Sequence, residues 1–162
     1  YPVLFFFRFE EPYYSVSSIA LLALDTASLI KSGLDDEEYR WLKESATLTQ
    51  LNAAAHRLVN NLFESFLHGP PEQPTGLDPA AAVRWRARYQ AALRRLQQAG
   101  IETIADEEEG AATYMALRLR WDYLITELAP HLGYTMAEID PEGSDPGQSD
   151  TRPEFSARLR SE

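Results

Sequence analysis

The chain has 162 residues and no cysteine. Disulfides, thiolate metal sites and cysteine nucleophiles are excluded together, and a reducing compartment is mildly favoured. Positive charge is also scarce: 15 Lys and Arg stand against 25 Asp and Glu, a formal charge of -10. That balance opposes non-specific attraction to nucleic acid, so no nucleic-acid partner is expected. There is no G-x-G-x-x-G, no phosphate-binding loop and no G-x-S-x-G elbow. His56, His68 and His131 are dispersed, and no two have the three- or four-residue spacing of helical metal ligands. The sequence is therefore expected to be non-catalytic, with no cofactor and no metal site.

Long apolar runs are missing too. A bilayer-crossing helix needs about 20 apolar residues. The nearest stretch, Val16 to Ile30, holds four Ser or Thr and the carboxylate of Asp25. It reads as a buried or interfacial helix. What is present is an apolar share of 44%, enough for one folded domain with a single core.

Residues 1–14 carry Pro2, Pro12 and a dense aromatic strip without helical period, which predicts an extended arm. Ser15 is placed to cap a helix running to about Lys31, with Gly33 to stop it. Asp35 or Asp36 caps a second helix whose stripe Leu48, Leu51, Ala55, Leu58, Leu62 and Phe66 continues to His68, with Thr47 and Thr49 marking the expected kink. After a Pro-rich loop, Asp78-Pro79 opens a third helix that ends at Gly100. Residues 101–105 form a short β-like connector. Asp106 then starts a fourth helix, with Leu117, Trp121, Leu124 and Leu128 inward, closed by Pro130 or Gly133. The prediction is an all-α fold, an irregular bundle of about four main helices over residues 15–140. Residues 141–162 have the Pro, Gly, Ser and Asp composition of a flexible polar tail.

Asp25 is the leading candidate for a structural ion pair, because a carboxylate among apolar neighbours must find a partner or lose its charge. Arg8, Arg57 and Arg118 are the cations considered for it. Arg118 and Asp122, four apart, face each other on one helix. The acidic groups Asp35 to Glu38 and Asp106 to Glu109 sit at helix starts, where acids complement the dipole without a bound cation. Arg84, Arg86, Arg88, Arg94 and Arg95 form a basic margin with no acid among them. Arg84, Arg88 and Arg95, at steps of four and seven, are candidates for contact with anionic lipid or an acidic partner. The competing reading is internal: these arginines neutralise the acidic helix starts.

The opening residues also carry a resemblance. Tyr1-Pro2-Val3-Leu4 through Arg8, then Ser15 and Ser17, Ala20-Leu21, and Leu24-Asp25 to Leu29 resemble the segment after the pore in a family of prokaryotic two-transmembrane, potassium-channel-like pore-loop proteins. Leu117-Arg118 followed by Trp121-Asp122 is similar to a second stretch of that family, and the likeness covers about two thirds of the chain. It implies a regulatory cytosolic domain of such an ion channel, on the cytoplasmic side of the membrane. The membrane-spanning part would lie upstream of residues 1–14, and the domain would be a homo-oligomer through the whole channel. From the residues alone, two other readings remain. One is a small-molecule sensor with Trp41, Trp85 or Trp121 as an aromatic wall. The other is a protein-binding helical adaptor.

Overall fold

A computed structural model describes residues 15–67, 74 and 76–140. The aromatic arm, the polar tail, Arg8 and His68 lie outside them. The described residues form seven helices and no strand: α1 (Val16–Gly33), α2 (Arg40–Lys43), α3 (Ala46–Phe66), α4 (Pro79–Gln98), α5 (Glu107–Leu119), α6 (Asp122–His131) and α7 (Met136–Ile139).

Ser15 starts α1 by accepting a hydrogen bond from the Ser18 amide at 3.0 Å. Apolar Ala20, Leu21, Leu24 and Ala27 turn inward with the small Ser28 and Ser32. Both serine hydroxyls donate to carbonyls one turn back, at 2.8 Å, so their burial leaves no polar orphan there. Small residues let neighbours approach closely, and α1 packs against α3, α4, α5 and α6. By length and mean hydropathy, 1.2, α1 passes as a membrane span, yet half of it is buried inside the protein. It is the central helix of the bundle.

Two expected helices are interrupted. The second does not start at Asp35: that carboxylate accepts from the Glu37 and Glu38 amides at 2.8 and 2.9 Å but closes only a turn, and α2 starts at Arg40 without a side-chain cap. Ser45 then restarts the helix, accepting from the Leu48 amide at 3.1 Å. A serine that satisfies a free amide favours a new N-terminus over helical continuity. The expected fourth helix splits at Arg120 and Trp121, where the Trp121 amide donates to the Arg118 carbonyl at 3.1 Å. This break allows Arg118, at the end of α5, and the indole of Trp121, ahead of α6, both to enter the core.

The β-like connector survives as one isolated antiparallel bridge between Leu34 and Thr103. Gly100, with φ of 75°, ends the α4 turn as only glycine does without strain. A further helix, α7, was not expected. It is held by a capping box in which the Glu138 carboxylate accepts from the Thr135 amide at 2.8 Å. Its burial of Ile139 brings Asp140 into the interior.

The core has two parts. One joins α1, α3, α6 and α7 through Leu24, Val59, Phe63, Trp121, Ile125 and Ile139. The other joins α4 and α5 through Trp85, Tyr89, Leu93, Ala111 and Tyr114. Between them stands a cluster of charged side chains.

Candidate functional site

Asp25 lies in the middle of α1 with its side chain 5% exposed. Three donors converge on it. Arg88 of α4 reaches one carboxylate oxygen through Nε at 2.9 Å, and Arg118 of α5 reaches the other through Nη1 at 3.0 Å. The Tyr114 hydroxyl also donates to that second oxygen. Asp140, directly after α7, accepts from Arg118 Nη2 at 3.0 Å and from Arg88 Nη1. Arg118 Nε finishes the fork on Asp122 at 2.9 Å. Three carboxylates thus face two guanidinium groups and a phenol.

The apolar setting of Arg118 is aromatic. Its guanidinium carbon lies 5.5 Å from the ring centroid of Trp85 and 5.0 Å from that of Trp121. Indole faces attract a desolvated cation while supplying the area that closes the core. Trp85 and Trp121 therefore hold an arginine between them, and Trp41 is 69% exposed.

Burial opposes the charge of Arg88, but Asp25 and Asp140 outweigh it and hold its pKa above the ordinary value. Burial likewise opposes the charge of Arg118, and Tyr114, Asp122 and Asp25 together raise its pKa. Burial pushes the Tyr114 phenol up, so it stays a donor. Asp122 is also raised by burial, in spite of Arg118 beside it. These shifts keep the arginines charged and the phenol protonated. The cluster is suited to fixing helices against one another.

Of the cations considered for Asp25, the structure brings Arg118 to it. Arg57 is exposed on α3, away from the cluster, and Arg8 lies outside the described residues. The sequence places Arg88 on an outer basic margin, whereas it turns inward to Asp25 and Asp140. Its sequence signal was its place on α4, three residues after Trp85, at the margin of the apolar stripe. Tyr114 was legible in the same way, one turn before Arg118. Asp140 carries no such signal, because it follows α7, a helix of four residues with no periodic stripe to mark it. Elsewhere on the margin, Arg86 pairs with Glu108 in the first turn of α5 at 2.6 Å, and Arg84 and Arg95 are exposed.

Arg84 and Arg95 border a second feature, a groove of about 1210 Å³ between α1 and α4. Asp25 meets Arg88, and Gly33 lies against Leu93, so the two helices run in the same direction. Leu22, Leu29 and Ile30 form the α1 wall, opposite Ala80, Ala87 and Ala91 of α4. Methyl groups at those α4 positions are too short to fill the space between the helices. Leu22 and Val83 consequently remain 66% and 70% exposed at its mouth.

Compared with known protein families, with curated proteins and with solved structures, the chain matches none.

Proposed function

We propose that residues 15–140 are a cytosolic assembly and regulatory domain of a prokaryotic pore-loop channel of the potassium type, acting mechanically and without catalysis. The observation that carries this reading is the meeting of Asp25 with Arg118, 93 residues apart in sequence and 3.0 Å apart in the core. The resemblance to the channel family falls on two separate stretches of chain, and one polar residue from each, Asp25 and Arg118, meets the other in one cluster.

Residues 1–14 precede α1 in the sequence, and α1 is clamped at its centre by side chains of α4 and α5. A displacement of the arm is then passed to the whole body and not absorbed by a single loose helix. Leu51 and Leu58, seven apart on α3 and 42% and 37% exposed, offer an apolar strip for association between copies. Native mass spectrometry of the full-length natural protein, expressed with and without residues 15–140, tests the reading. Loss of a defined subunit number on deletion is expected, and an unchanged assembly contradicts it.

The groove favours a second reading, a small-molecule-sensing domain, with the ligand between α1 and α4 and not against the tryptophans.

A further inference from the structure

We infer that the α1/α4 groove binds a single-chain anionic amphiphile, with its hydrocarbon tail lying between the helices and its head group on Arg84. Four observations lead there. The groove is walled by Leu22, Leu29 and Ile30 on one side and by alanines on the other, so its interior favours hydrocarbon. Its length along α1, from Leu22 to Leu34, is about 18 Å at the helical rise, which suits an extended acyl chain better than a compact ring system.

Its charge is the third. Among the described residues Arg84, Arg88 and Arg95 line the groove, and Asp25 is the one carboxylate there, in a protein whose formal charge is -10. Arg88 is taken up by Asp25 and Asp140, so the positive charge that the groove holds out to a ligand is that of Arg84. An anionic head group complements that charge and a cationic one is repelled.

The fourth is position. Arg84 stands beside Leu22 and Val83 at the mouth, has no ion-pair partner among the described residues, and can offer its planar fork to a carboxylate or phosphate. A concave groove between two helices takes in one chain, whereas a bilayer surface would leave it empty. The inference stands on the groove alone and does not depend on the channel reading.

The test uses the full 162-residue chain. Binding of a long-chain fatty acid, kept below its micelle concentration, is compared by titration calorimetry with that of the matching fatty alcohol. Saturable binding of one acid per chain is expected, about tenfold weaker for the alcohol and for Arg84→Glu, the loss of one charge-assisted hydrogen bond. Ala87→Trp, at an exposed position where the larger ring points into the groove, should abolish binding while the melting temperature holds. Equal affinity for acid and alcohol overturns the inference, as does binding untouched by both substitutions, or none at all. Binding that appears only after removal of residues 1–14 also overturns it, and makes the aromatic arm the occupant. If Ala87→Trp instead converts a dimer to a monomer, the groove belongs to a second copy.

Discussion

Asp25 and Arg118 come from opposite parts of the chain and share a hydrogen bond of 3.0 Å in the interior. Neither is tolerable there without the other. An isolated buried charge carries a heavy desolvation cost, and an ion pair offsets it only when the remaining donors and acceptors are also satisfied. Here Arg88, Tyr114, Asp122 and Asp140 supply those partners. The cluster thus specifies one arrangement of α1, α4, α5 and the end of α7.

Asp25→Asn keeps the shape and removes the charge. It leaves two buried arginines short of a partner and is expected to cost about 3 kcal/mol or more. Chemical denaturation of the purified chain checks this, and a midpoint equal to wild type would mean that the carboxylate contributes nothing. Combining Asp25→Asn with Arg118→Met should cost less than the sum of the two single changes, by about 0.5–3 kcal/mol, since the second removes a charge the first has stranded.

Gly110 lies in the first turn of α5, where a Cβ atom would come 2.1 Å from the Tyr89 hydroxyl and 2.8 Å from the Ser32 carbonyl. That hydroxyl is not free to retreat, because it donates to the same carbonyl at 2.9 Å. Gly110→Ala should therefore destabilise by about 1–3 kcal/mol, although alanine is the better helix former by about 1 kcal/mol. A raised melting temperature would show that α5 shifts freely.

His56, half-buried on α3, has its pKa lowered by burial and by the charges of Arg120 and Lys31. The folded state then binds its proton less readily than the unfolded chain, whose value is 6.5. Its contribution to stability is present above 6.5 and is lost as pH falls through the lowered folded value. Between pH 5 and 7 the melting temperature of wild type should rise more steeply than that of His56→Gln. Parallel curves would place the imidazole in solvent.

The sequence was most legible where one residue decides a local event. Ser15, Asp78 and Asp106 were readable as helix caps, and each side chain accepts from free backbone amides as capping requires. The need of Asp25 for a cation was equally plain, because burial makes the demand whatever the topology. Its choice among arginines was not, since partners 63 and 93 residues away are set by how helices cross. Arg88 looked external because it belongs to a run of exposed arginines, and only the crossing of α1 over α4 turns it inward. The helix breaks at Ser45 and Trp121 were hidden by apolar spacing that continues across them, as periodicity registers the buried face and not the turn. The groove was out of reach for the opposite reason: it arises from the shortness of Ala80, Ala87 and Ala91, residues that ordinarily signal nothing more than helix.

The central proposal, that this helical body governs a pore, is tested most directly by potassium flux into vesicles carrying the full-length natural protein, with wild type and Asp25→Asn inserted in equal amount. The account predicts flux through wild type and an altered rate in the variant, because loosening α1 changes what the arm transmits. No flux in either, or the same rate in both, would contradict it.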